Sequence, residues 1–316
     1  GKFQKELFFS KFYYNSIEKI NPEVVHIHFG FPGILYSKII KKLNIPLVVS
    51  FYGYDLSSVP HVLGNDIYIR NDLFANGQVF TVEGNHAKKT LIELGCPQKK
   101  VHVLKLGIKT KAYKFTARKI FKNDPVKLLF CGRFVEKKGL ILFIKAIAKV
   151  LSSGYPVIAN IIGFGPQKLI AEKLVSDLYI GKNINFLGML SHKDFIKQCY
   201  ENHVFVAPSQ TDKKNGETEG GAPTVILEAM STGMPAIGSD HADIPNIITN
   251  KINGIIFEEG NVKKLYESII QMIQLNKNWE QMGRDGRNFV IENHDLDKVS
   301  GHLEKLYDLA KQKKHD

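Results

Sequence analysis

The chain has 316 residues, 44% hydrophobic and 23% charged, which suits about two globular domains with ordinary cores and excludes a disordered or low-complexity chain. No run of 18 apolar residues occurs, so no segment reads as a membrane-spanning helix, and Cys96, Cys131 and Cys199 lie scattered, without the spacing of a metal or redox site. The net charge of +12 is uneven: residues 1–120 carry 18 Lys and Arg against 8 Asp and Glu, net +10, whereas residues 121–316 carry 25 against 23.

Short β-branched runs alternate with amphipathic stretches along the chain, the pattern of parallel α/β units. A helix near 3–19 opens it. Strands follow at EVVHIHF (23–29), PLVVSF (46–51), QVFTVE (78–83) and KVHVLKL (100–106), with helices near 31–42, 66–76 and 86–94. The polar stretch KTKAYKFTARKIFKNDP (109–125) reads as a linker. A second series then begins: VKLLFCG, PVIANIIG, NINFLG, VFVAP, PAIGS and GIIF, with helices between. The tail, 278–312, holds two helical patterns interrupted near Asn293–Asp297. Two doubly wound α/β domains follow, residues 1–120 and 121–297, with a terminal helical segment at 298–316. Ligands are expected at the carboxyl ends of the strands.

The stretch ETEGGAPTVILEAMSTGM (217–234) carries the most chemistry. Gly220, Gly221 and Ala222 let a ligand approach the backbone closely. Pro223 suits a helix start, and Thr224 and Val225 then offer first-turn N–H groups at the positive end of the helix dipole, a site for an anion. Glu219 precedes this turn and Glu228 lies about one helical turn beyond it. A helix start between two carboxylates suits a ligand with both phosphate and sugar hydroxyls, although each acid by itself also reads as a solvated side chain. Arg133 and Lys138 follow the apolar strand VKLLFC, where a planar fork and a point charge would meet phosphate oxygens. Gly163 and Gly165 in IIGFGP have the look of a dinucleotide-binding turn, but Lys168 occupies the third glycine position, against NAD. His26 and His28 alternate on one strand, and His28 reaches its end. Asp55 reads equally as a sugar-orienting group or a helix cap.

Together these segments, with HIHFG (26–30), SFYGYD (50–55), VEGNHAKKTLIELGCP (82–97) and LKLGI (104–108), resemble the retaining glycosyltransferases of family 4, near the colanic-acid and amylovoran type. The resemblance implies a GT-B fold: two Rossmann-like domains facing a cleft, with the last helix returning to the first domain. It implies a nucleotide-sugar donor such as a UDP- or GDP-sugar, no separate cofactor and no bound metal. It implies further that Arg133 and Lys138 bind the donor diphosphate, that Glu228 takes the ribose hydroxyls and Glu219 the donor sugar, and that the turns at Gly163, Gly165 and Met189 line the donor site. His28, Tyr52 and Asp55 would face the acceptor, a saccharide or polyprenyl-diphosphate-linked saccharide of cell-surface polysaccharide synthesis.

Three departures from the family pattern stand out. Eight residues separate Glu219 from Glu228 where the family has seven, with Glu217 further off; Tyr52 stands where many relatives have a histidine; and Asn246 stands where they often have a glutamate. The chain also opens at GKFQKELF, without the strand and Gly-rich turn that begin the family, so the first domain is expected to be incomplete. The basic excess of residues 1–120 reads as a solvated lysine-rich surface or as attraction to an anionic membrane at the cytoplasmic face; no nucleic-acid motif accompanies it. The rival readings are another GT-B enzyme, such as a nucleotide-sugar epimerase or hydrolase, and a donor-binding module without activity.

Overall fold

The computed structural model describes residues 2–121 and 124–313, so Lys122 and Asn123 of the expected linker and residues 314–316 of the terminal segment lie outside it. The described residues form two sheets in which every pairing is parallel. In the first, β1 (Val25–His28), β2 (Leu47–Ser50), β3 (Val79–Val82) and β4 (Val101–Val103) lie side by side in chain order. The second contains β5 (Val126–Cys131), β6 (Val157–Ile162), β7 (Ile184–Gly188), β8 (Val204–Ala207), β9 (Ala236–Ser239) and β10 (Gly254–Phe257), in the order β10-β9-β8-β5-β6-β7. Each of the ten strands falls inside a segment read as a strand from its apolar run.

The reason is visible in β5. Its residues alternate between two faces, and both faces are covered, so the strand needs a nearly continuous apolar run. Leu128 and Phe130 belong to a core with Phe143 and Ile147 of the Leu140–Ser152 helix and Leu265 and Ile269 of the Val262–Gln274 helix. Leu129 belongs to a second core with Phe195 and Cys199 of the His192–Glu201 helix and Ile226 and Met230 of the Thr224–Ser231 helix. In the first sheet, Leu47, Val49 and Phe51 pack with Ile40, Leu73 and Phe80, while Val48 and Val79 pack with Leu306 and Ala310 of the Leu296–Gln312 helix.

The strand order of the second sheet reverses between β5 and β8. At such a switch point the connections leave to opposite sides and open a crevice at the carboxyl ends of the two strands. The two segments singled out in the sequence are the loops that follow β5 and β8.

The chain divides into two compact units, one of residues up to Lys105 together with those from Val299 on, the other Leu106–Lys298. Residues 106–120, assigned to the first domain by pattern, group with the second unit. The helix expected over 66–76 is two short ones, Ile67–Arg70 and Leu73–Asn76, broken where Asp72 takes a left-handed conformation (φ 60°). Short helices at Gly53–Leu56 and Ser58–Leu63, too brief to show a period, were not legible in the sequence.

Candidate functional site

The loop after β5 carries Gly132, Arg133 and, past a short turn, Lys137 and Lys138. Two glycines set its position. Gly139 (φ 69°) would place a Cβ 1.9 Å from the carbonyl oxygen of Pro208, so only glycine lets this loop lie against the loop after β8. Gly163 (φ 137°) would place one 1.9 Å from the carbonyl oxygen of Gly132. Gly163 and Gly165 therefore allow the turn after β6 to pack on the backbone of Gly132–Phe134, where Phe134 N–H donates to the Phe164 carbonyl (2.9 Å). In this structure their contacts are with the Arg133 loop. Arg133 itself is exposed at the end of β5.

Across from it, the loop after β8 delivers Glu219. Its carboxylate lies 2.6 Å from Lys138 Nζ, 3.9 Å from Lys137 Nζ, and accepts a 3.0 Å hydrogen bond from Ser209 Oγ. Burial alone would push this carboxyl up, but Lys138, then Lys137 and Ser209, hold it below the ordinary carboxylate range. Glu217 pairs instead with Lys137 (2.6 Å), whose side chain is only 7% exposed and also donates to the Thr218 carbonyl (3.1 Å). The two acids of the ETE sequence thus each have a lysine, and Glu219 is the one joined to Lys138. Gly220 is half-buried and Gly221 buried beside it; the Thr224–Ser231 helix begins directly after Pro223, with Thr224 exposed and Val225 half-buried at its first turn.

Glu228 lies on that helix. It accepts from Tyr113 Oη (3.2 Å) and pairs with His192 Nε2 (2.7 Å). Burial, and then the Glu228 charge, raise the Tyr113 phenol well above its ordinary value, so the hydroxyl remains a donor. The three side chains line a cavity of about 500 Å³ together with Lys109, Lys193 and Ile196. Met189, just past β7, is 80% exposed, as is much of Phe164 past β6. These apolar groups stand at the carboxyl ends of neighbouring strands.

In the first unit, His28 Nδ1 is 2.7 Å from Tyr52 Oη at the ends of β1 and β2. His26 is structural: it bonds Tyr307 Oη (2.9 Å) and Ser50 Oγ (2.7 Å), and burial, then His28, pull its pKa down to about 4. Asp55 has no exposed surface and caps Tyr52 N–H (3.2 Å) within a capping box, so of its two sequence readings the geometry favours the cap.

Sequence reasoning passed over Lys137, Ser209, Tyr113 and His192. Lys137 had a signal, a second lysine beside the first opposite a second glutamate. The others reach the site only through strand order. Among the described residues no group of three or more His, Cys, Asp or Glu is placed to hold a metal ion.

Comparison with known proteins accords with this geometry. Residues 1–112 match Glycosyltransferase Family 4 and residues 114–289, more than half the chain, match Glycosyl transferases group 1. The chain is 27% identical over 254 residues to the amylovoran biosynthesis glycosyltransferase AmsK of Erwinia amylovora, covering 80% of this chain and 61% of the relative. It is 25% identical over 258 residues to the putative colanic acid biosynthesis glycosyltransferase WcaL of Escherichia coli, covering 80% and 62%. It thus spans less than two thirds of the length of these relatives. The crystal structure of Anabaena Alr3699/HepE in complex with UDP superposes with a TM-score of 0.79 at 14% identity, covering 94% of this chain and 80% of that one. That likeness establishes the fold as GT-B. By the match of its second unit and the fold of both, the chain belongs to the group 1 glycosyl transferases.

Proposed function

We propose that this chain carries the donor site of a retaining glycosyltransferase. The donor is a nucleotide-sugar, such as a UDP- or GDP-sugar, and the acceptor a saccharide or polyprenyl-diphosphate-linked saccharide of cell-surface polysaccharide synthesis. The observation that carries this reading is the meeting of Lys138 and Glu219, 2.6 Å apart, at the point where the strand order reverses. A cation for the diphosphate and a carboxylate for the sugar stand side by side, next to a helix start with first-turn amides. The HepE structures hold UDP and UDP-glucose on the same fold, which supports this donor class.

In this reading Arg133, Lys138 and the amides of Thr224 and Val225 stabilise the departing diphosphate, whose charge grows in the transition state. Glu228 takes the ribose hydroxyls, and Phe164 and Met189 offer apolar surface to the base. Glu219 exchanges its apo contact with Lys138 for donor sugar hydroxyls. The acceptor hydroxyl attacks from the face the diphosphate leaves, which preserves the anomeric configuration. Charge neutralisation comes from protein groups, so no metal and no organic cofactor take part.

The first unit would face the acceptor, with His28 and Tyr52 as contacts, at the cytoplasmic surface of the membrane. The Gly30–Lys42 helix supports this. Phe31, Leu35, Lys38, Lys41 and Lys42 are exposed on it, apolar and basic side chains together as at a lipid interface.

Thermal denaturation with UDP, GDP, ADP and dTDP and their sugars tests the donor site. A ligand at 100 times its Kd raises stability by about 2.7 kcal/mol. Lys138→Ala and Arg133→Ala should each weaken diphosphate binding about 10- to 100-fold. Unchanged affinity in both would remove the phosphate assignment. A free sugar in place of a new glycosidic bond would turn the reading toward a hydrolase.

A further inference from the structure

A run of hydrogen bonds joins the loops after β8, β9 and β10, and the donor reading makes no use of it. Thr211 donates to Glu259 Oε1 from its N–H (3.3 Å) and its Oγ1 (2.9 Å). The other Glu259 oxygen pairs with Nδ1 of His241. The far side of the same ring, Nε2, lies 3.0 Å from the backbone nitrogen of Glu219. A backbone N–H can only donate, so Nε2 presents its lone pair and the ring proton sits on Nδ1, toward Glu259. His241 is buried, 3% exposed, and its two contacts orient the ring between Glu259 and the Glu219 N–H. The run therefore starts at β10, crosses β9 and ends on the residue whose carboxylate reaches Lys138 beyond β5, following the strand order of the sheet.

We propose that His241 is a positioning residue: it fixes Glu219 in register through its backbone N–H, with Glu259 setting the tautomer of the ring. The inference rests on the reading of Glu219 as the carboxylate that touches the donor sugar. Register matters here because two acids, Glu217 and Glu219, stand opposite two lysines, Lys137 and Lys138. The residues from Gly220 to Pro223 have no helix or strand to hold them. A bond to the Glu219 backbone selects which acid meets Lys138.

The test compares His241→Leu, His241→Gln and Glu259→Gln with the unaltered protein, reading kcat and the affinities for nucleoside diphosphate and intact nucleotide-sugar. His241→Leu should lower kcat about 10- to 100-fold and weaken nucleotide-sugar binding, with nucleoside-diphosphate binding little changed. His241→Gln, which keeps an acceptor for the Glu219 N–H, should recover part of that turnover. Glu259→Gln, which leaves the ring tautomer unfixed, should lower kcat and nucleotide-sugar affinity in the same sense as His241→Leu but by less. Equal losses of both affinities, or no more turnover in His241→Gln than in His241→Leu, would overturn the proposal. So would full activity in His241→Leu where Glu219→Gln is inactive. If Glu219→Gln itself is fully active, the donor reading of Glu219 fails first, and the inference with it.

Discussion

At the scale of single residues, Asp55 shows what burial does to a carboxylate that caps a helix. Burial pushes its carboxyl up to about 6, and the N–H groups of Tyr52, Gly30 and Phe31 only partly pull it back. Between the ordinary aspartate value and that raised one, the folded state binds more protons than the unfolded. Stability therefore falls as pH rises across that interval, and the full penalty remains above it. Asp55→Asn keeps an acceptor for Tyr52 N–H and removes the ionisation. It should stabilise the protein at pH 7.5 by about 1–3 kcal/mol, with the gain vanishing near pH 4. Urea unfolding at the two pH values measures this, and a variant less stable at pH 7.5 would contradict it. In the structure Glu219 has two lysines beside it, whereas Asp55 has backbone amides.

At the scale of elements, the stretch read as a linker is fastened to the second unit by several side chains, Tyr113 and Arg118 among them. Arg118 is 3% exposed and faces no carboxylate. Its Nε donates to the Asn202 carbonyl (3.0 Å), and its Nη2 to the Cys199 carbonyl and Thr232 Oγ1 (both 2.7 Å). Nη1 reaches the carbonyls of Thr232 (3.2 Å) and Thr116. Burial pulls the guanidinium down to about 10, which leaves it charged at neutral pH. It ties the segment before β5 to the ends of the His192–Glu201 and Thr224–Ser231 helices, and together with the Tyr113–Glu228 and Thr116–Thr232 hydrogen bonds it joins residues 106–120 to the second unit. Arg118→Ala would leave several buried carbonyls without a donor. A loss of about 2–5 kcal/mol is expected, read as a lower midpoint in urea; Arg118→Lys, with one nitrogen in place of three, should recover only part of it. A midpoint unchanged in Arg118→Ala would mean that water satisfies those carbonyls. A polar, Pro-flanked segment does read as a linker, because single-sequence patterning registers apolar periodicity and cannot register a charged side chain satisfied by distant carbonyls.

At the scale of the whole molecule, charge is the property that reaches furthest. Residues 1–120 hold net +10 of the total +12. Lysines near an anionic bilayer contribute roughly 1 kcal/mol each, and the exposed Phe31 and Leu35 would add apolar contact. Co-sedimentation with vesicles containing phosphatidylserine should therefore be strong at low salt and fade toward 1 M, where the Debye length shrinks to about 3 Å. Residual binding at high salt should fall further in Phe31→Ser with Leu35→Ser. No binding at low salt would leave the basic excess as surface composition and favour a soluble acceptor.

The sequence by itself determined the ten strands and the two parallel α/β units, because a parallel strand covered on both faces must be a short apolar run and the runs are unmistakable. Its resemblance to the family 4 pattern also singled out Arg133, Lys138, Glu219 and Glu228, although each by itself reads equally as a surface side chain. The tertiary structure decided how they are arranged. Strand order brings the ends of β5 and β8 together, so Lys138 meets Glu219 across about eighty residues of chain. The close backbone packing of Gly139 and Gly163 sets the height of the Arg133 loop, and the β9 and β10 loops supply His241 and Glu259 behind it. Such contacts have no period and no motif in the sequence: they depend on which strand lies beside which, and that is set by the packing of the whole sheet.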